Sequence, residues 1–218
     1  MHYTLSPSTL NLFRECSRCF WLQFNKDIKR PAGIFPSLPS GMDSILKKHF
    51  DSFIGKGLPP ELKELDGEVK LFDNADLLKE WRSNFKGIRH TDGRGNTLKG
   101  AVDNILVKGK KLIVLDYKTR GFPLKEDTAA HYQDQMNCYN FLLRKNNHKT
   151  EDYTYLIFYY PSHITEKGNV CFHTELVKMP TNPDDAEKLF NDALGCLDGE
   201  EPKAKEDCEY CRYMTPKQ

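Results

Sequence analysis

No apolar run in this chain approaches the length that spans a bilayer. The opening residues, Met1 to Thr9, lack the charged and apolar regions of an export signal, so a cytoplasmic protein with no membrane partner is expected. Net charge is almost missing as well. Lys and Arg number 32 against 31 Asp and Glu, a balance of +1, which excludes a chain-wide basic field that would draw in nucleic acid. A local groove can still be basic under a neutral average. There is no internal repeat, no low-complexity tract and no glycine-rich phosphate loop of a nucleoside-triphosphate motor.

What is present is ordinary globular material. The chain has 218 residues, 39% hydrophobic and 29% charged, which suits one domain over 1–218 with aromatics to spare for a core. Seven cysteines without an export signal read as thiols or metal ligands and not as disulfides. Ser6-Pro7 reads as an N-cap followed by proline at the first helical position, opening a helix to Phe24 that contains Cys16-Ser17-Arg18-Cys19. Pro31 to Ser40 is a loop, and Gly41 to Ile54 a helix. A strand over Glu68–Phe72 precedes a helix over Asn74–Phe85, with Leu77, Leu78, Trp81 and Phe85 on one side. Gly87–Thr91 should pair with Thr97–Val107 across the turn at Asp92–Asn96. Asp127–Asn146 reads as a helix, Tyr153–Pro161 as a central strand, and Val170–Met179 as a strand nearer an edge. An Asn182-capped helix to Leu197 leads through a charged linker, Gly199–Asp207, to Cys208-Glu209-Tyr210-Cys211.

One stretch stands apart, Leu98 to Gly121. Its two apolar runs, Ala101–Val107 and Lys111–Thr119, are joined at Lys108-Gly109-Lys110 and read as a β-hairpin. Each run carries one acid where an apolar residue would be expected, Asp103 and Asp116. Lys118 stands two residues after Asp116, so the two project from one face of a strand while Tyr117 points away. A lone charge there is costly to bury, but two carboxylates and an ammonium that converge can hold a divalent cation.

Gly100-x-x-Asp103 followed by Asp116-Tyr117-Lys118 resembles motifs of the PD-(D/E)XK nuclease superfamily, in the form found in RecB-type exonuclease domains. Gln135-x-x-x-Tyr139 is similar to the Q-x-x-x-Y motif of the same domains, and Ser6 to Trp21 to their opening helix. The resemblance implies a restriction-endonuclease-like α/β (α+β) fold, a mixed central sheet flanked by helices. It implies a Mg²⁺- or Mn²⁺-dependent nuclease acting on DNA, as an exonuclease on ends or single strands. Asp103, Asp116 and the Tyr117 backbone carbonyl would be the ligands, Lys118 the catalytic lysine, and Gln135 and Tyr139 would position the strand. Lys99, Arg120 and Lys125 are nearby cations for phosphates. Many such proteins place a histidine ligand four residues after a glycine. Here that position is Ile45, and His49 lies a turn further on, so it reads first as a helix-surface residue and second as an extra ligand. Asp43 is a substitute carboxylate of lower weight. Two other readings share these residues: a catalytically silent DNA-binding or assembly subunit, and a zinc-stabilised interaction module.

Cys16-x-x-Cys19 and Cys208-x-x-Cys211 have the spacing of metal knuckles, and together supply four thiolates. These would join the first helix (6–24) to the tail (199–218). The resemblance is to nucleases whose termini are clasped by a [4Fe–4S] cluster, including those of CRISPR adaptation, although these have one cysteine upstream and three downstream. The two-plus-two arrangement makes Zn²⁺ the competitor. CRISPR adaptation or recombination proteins would then be partners, and any unwinding would come from one of them. Cys138, Cys171 and Cys196 are expected to be buried apolar thiols.

Overall fold

The computed structural model describes residues 2–214, so the last four residues of the tail lie outside the described residues. Its centre is a five-stranded mixed sheet in the order β2 (Lys70–Leu71), β5 (Asn104–Lys108), β6 (Lys111–Thr119), β7 (Tyr153–Ile164) and β8 (Val170–Pro180). The β5–β6 hairpin turns at Gly109, whose φ of 59° suits glycine. β6 and β7 run parallel and the other pairs antiparallel, with β8 at an edge as its more polar sequence suggested. A second, three-stranded sheet has the order β1 (Thr4–Leu5), β4 (Thr97–Gly100), β3 (Ile88–Thr91).

Helices cover both faces of the central sheet. On one lie α1 (Pro7–Glu15), α2 (Ser17–Asn25), α5 (Gln133–Lys145) and α6 (Pro183–Asp198). Their Leu10, Phe20, Met136, Leu142 and Phe190 pack with Ile105, Val114, Leu156 and Phe158 of the strands. On the other, α3 (Ser37–Asp51) brings Leu46 and Phe50 onto Leu106, Ile113, Leu115, Tyr117 and Ile157. The remaining helices are α4 (Ala75–Trp81) and α7 (Glu209–Met214). Alternation along β6 therefore sends Val114 toward α5 and Tyr117 toward α3, which puts Asp116 and Lys118 on the α5 side.

Several expectations need correction. The strand expected over Thr97–Val107 is broken after Gly100, and the chain passes there from the small sheet to the large one. Asp103 thus precedes β5 and is not inside a strand. The first helix also breaks, at Cys16, whose φ of −160° is extended and whose sulfur accepts the Cys19 N–H. α3 begins at Ser37, inside the expected loop, because Ser37 and Ser40 already close turns onto Phe35 and Pro36 carbonyls. α4 ends at Trp81, which leaves Phe85 exposed instead of packed. The helix expected from Asp127 is regular only from Gln133, after a 3-10 turn over Ala129–Tyr132. Of the three remaining cysteines only Cys138 is buried, while Cys171 and Cys196 are half-buried.

Phe158 is fully buried between β7 and the α5 side of the core. Phe158→Ala should cost about 3–5 kcal/mol, as large-to-small core changes do, read from the denaturant midpoint at unchanged slope.

Candidate active site and cysteine cluster

The break in the 97–107 strand shapes the site. Asn104 pairs with Leu115 at the end of the β5–β6 ladder, so Asp103 stands where the next partner of β6 would be. Instead of a backbone carbonyl, its side chain meets β6: the Tyr117 N–H donates to Asp103 Oδ2 at 3.0 Å. The Asp103 carbonyl accepts from Arg82 Nε at 2.7 Å, and Arg82 Nη1 reaches Asp51 at 2.8 Å. Asp103 is therefore held at both its main chain and its side chain. Buried Asn104 donates to the Tyr117 hydroxyl at 2.8 Å, which fixes Tyr117 on the far face against Phe50.

Asp116 is 2% exposed. Lys118 Nζ lies 2.6 Å from its Oδ2, yet that oxygen has no well-aligned hydrogen bond, so the contact is one of charge. Burial pushes the Asp116 carboxyl up to about 7, against the pull of Lys118. Burial works the other way on Lys118, but Asp116 outweighs it and the ammonium is held above its ordinary value. Lys118 also donates to Gln135 Oε1 at 2.9 Å and sits 4.4 Å from the centre of the Tyr132 ring. Gln135 Nε2 in turn donates to the Tyr139 hydroxyl at 2.7 Å, one turn along α5. The structure thus joins Asp116, Lys118, Gln135 and Tyr139 into one chain of contacts.

Gly100 closes that chain from below. A Cβ there would come 2.8 Å from Tyr139 Cε1 and 3.0 Å from Leu142 Cδ1, so the Tyr139 ring lies where any side chain would go. Beside it opens a cleft of about 360 Å³, lined by Ser6, Ser8, Lys99, Gly100, Gln135 and Tyr139. Lys99 is half-buried at this cleft and donates to the Asn84 carbonyl at 3.3 Å, while Arg120 bonds Thr128 and Lys125 is held through its backbone by the same threonine.

His49 is turned to Glu61, its Nε2 lying 3.0 Å from Oε1. The residue of α3 that reaches the Asp103 carboxylate is Lys47, 3.1 Å from Asp103 Oδ1 and 2.8 Å from Asp43 Oδ2. Lys47 and Arg82 were not singled out from the sequence. Lys47 stands four residues after Asp43, the helical spacing that would have linked them; Arg82 carries no such signal.

The four cysteines meet at the other side of α1 and α2, with all sulfurs within 4.8 Å of one another. The Cys16–Cys211 and Cys19–Cys208 sulfurs are 3.6 Å apart, and Cys19–Cys211 3.8 Å. The kink at Cys16 is what turns both of its pair inward. Burial would raise the Cys208 thiol, but hydrogen bonds from the Cys211 backbone and the neighbouring thiols bring it down to about 6. Arg30 donates to Cys208 Sγ at 3.7 Å, pairs with Glu15 at 2.6 Å and lies over the Tyr210 ring, placing positive charge beside the thiolates.

A mixed sheet flanked by helices on both faces is the restriction-endonuclease-like arrangement. Residues 70–215 match the family model of the PD-(D/E)XK nuclease superfamily, and the chain belongs to that superfamily. The match takes in the hairpin, α5 and the downstream cysteine pair, but not α1, α2 or α3. A comparison with curated proteins finds no match. Among the described residues, no helix is long and apolar enough to cross a membrane.

Gly100→Ala should displace the Tyr139 ring and cost about 1–3 kcal/mol, as overpacking does. Combined with Tyr139→Leu, which frees that space, part of the loss should return in a double-mutant cycle of denaturation midpoints.

Proposed function

We propose that this chain is a Mg²⁺- or Mn²⁺-dependent deoxyribonuclease, working as one domain, and that Asp103, Asp116 and Lys118 carry its chemistry. The observation behind this reading is Asp116 itself. A buried carboxylate with an oxygen lacking any aligned hydrogen bond, beside a second carboxylate, is a poor structural element and a good hard-cation ligand. Asp103 and Asp116 would hold the ion, with the Tyr117 carbonyl as a further oxygen. When bound, the ion makes water nucleophilic and neutralises charge on the phosphoryl group.

The remaining steps fall to the chain's own groups. Lys118, steered by Asp116 and Gln135, is set to orient the attacking water and to meet the negative charge that builds on the phosphorus oxygens. Gln135 and Tyr139 border the cleft, where a strand could lie with its phosphates toward Lys99. Exonuclease action on ends or single strands, and partners in recombination or CRISPR adaptation, rest on the likeness of Gln135-x-x-x-Tyr139 and the cysteine pairs to RecB-type proteins.

We further propose that the four cysteines hold one tetrahedral ion, Zn²⁺ by ligand type. Four thiolates at about 2.3 Å from zinc stand about 3.8 Å from each other, close to the sulfur spacing here. A four-iron cluster fills the space between its cysteines and would hold them further apart. The ion would tie α1 and α2 to the chain's end, in keeping with a cytoplasmic protein whose thiols stay reduced.

Asp116→Asn and Lys118→Met should each lower Mg²⁺-dependent cleavage of labelled single- and double-stranded DNA by about 10²–10⁴-fold, while the protein stays folded. Cleavage surviving both substitutions would remove the proposed site, and a folded wild type with no cleavage would favour a silent DNA-binding subunit. For the cysteines, elemental analysis should find one zinc per chain, lost in Cys211→Ser together with a lower melting temperature. Brown protein absorbing around 400 nm would instead identify an iron–sulfur cluster.

A further inference from the structure

The nuclease reading leaves one charged group at the site without a task. Lys47 comes from α3, on the face of the sheet opposite Gln135 and Tyr139. Its ammonium lies 3.1 Å from Asp103 Oδ1 and 2.8 Å from Asp43 Oδ2. The Lys47 side chain is 23% exposed and that of Asp103 18%, so the contact is largely shielded from water. A hard divalent cation bridges carboxylates in the same way, and the paired ions of phosphodiester-cleaving sites stand about 3.5–4 Å apart. Lys47 Nζ is thus a cation already seated beside Asp103, on a carboxylate oxygen that a second ion would have to share. Asp103 is engaged from both sides, by Lys47 at Oδ1 and by the Tyr117 N–H at Oδ2, and each oxygen keeps a further lone pair for one ion.

We propose that Lys47 is a built-in second cation, that Asp43 serves to hold Lys47, and that the site therefore binds a single divalent ion. This rests on the nuclease reading above and deepens it. The charges agree with it. Counted with Asp116 ionised, as a cation's ligand must be, Asp43, Asp103 and Asp116 bring three negative charges, and Lys47 and Lys118 two positive ones, which leaves one net negative charge. The adjacent Arg82–Asp51 pair is neutral. One divalent ion turns the site to one net positive charge, the complement of a phosphodiester. A second ion would have to enter against the Lys47 ammonium and would leave an excess that one phosphate does not balance. Unlike an ion, the lysine is not removed by chelation, and it spares Asp103 from bridging two metals.

Mn²⁺ titration of the chelator-treated protein, followed by the electron paramagnetic resonance of the free ion, counts bound ions without any turnover. One Asp116-dependent ion per chain is expected in the wild type and in Lys47→Arg. Two are expected in Lys47→Met, with the second lost again when Asp43→Asn is added. Two Asp116-dependent ions in the wild type would overturn the proposal. So would a folded Lys47→Met that still takes up one ion, whether tighter or not, since the ammonium would then hold no second position. If Lys47→Met does not fold, the wild-type and Lys47→Arg counts still decide. No Asp116-dependent ion in the wild type would be a different failure, that of the nuclease reading itself.

Discussion

A carboxylate buried near the end of a β-strand is expensive, and the rest of this site can be understood as what makes Asp116 tolerable. Ordinary cores place an apolar side chain at such a position, as Val114 does two residues earlier on the same face. Here Lys118 supplies the counter-charge, Gln135 holds Lys118, and Tyr139 holds Gln135. The chain of contacts ends against Gly100, where only a residue without a side chain admits the Tyr139 ring. Residues from a strand of the large sheet, one helix and the end of the small sheet's central strand are therefore coupled, although each looks unremarkable by itself.

The second feature the site depends on is an interruption. Had the chain continued as one strand from Thr97 to Val107, Asp103 would be an ordinary ladder residue with its side chain set by the pleat. Because pairing stops after Gly100 and resumes at Asn104, the Asp103 carboxylate is free to meet the Tyr117 N–H and Lys47. The break also lets helices from opposite faces reach the two carboxylates, α5 through Gln135 on Lys118 and α3 through Lys47 on Asp103. A continuous sheet would have kept them apart. The kink at Cys16 does similar work for the cysteines, turning two sulfurs of one helical region toward a pair that lies 189 to 195 residues away in the chain.

Much of this could be read from the sequence because it depends on local periodicity. The two-residue repeat of β6 places Asp116 and Lys118 together, and the 3.6-residue repeat of α5 does the same for Gln135 and Tyr139. Ser6 and Asn182 cap their helices as their residue types require. Expectations failed where two distant segments compete for one stretch of backbone. The small sheet, with β1 parallel to β4, draws Thr97–Gly100 away from the hairpin. The cysteine cluster overrides helix periodicity at Cys16, and Phe85 falls outside a helix whose end is set by Arg82 turning to Asp103.

The sequence by itself determined the residue types that can bind a cation, their order along the chain and the faces they share within one element. Those properties follow from steric and hydrogen-bonding rules acting over a few residues. Which elements meet was decided only by the tertiary structure: Lys47 and not His49 at Asp103, Gly100 against Tyr139, and four cysteines from opposite ends within reach of one ion. Such pairings are set by how whole faces of helices and sheets pack, and no spacing along the chain encodes the distance between two elements that are far apart in it.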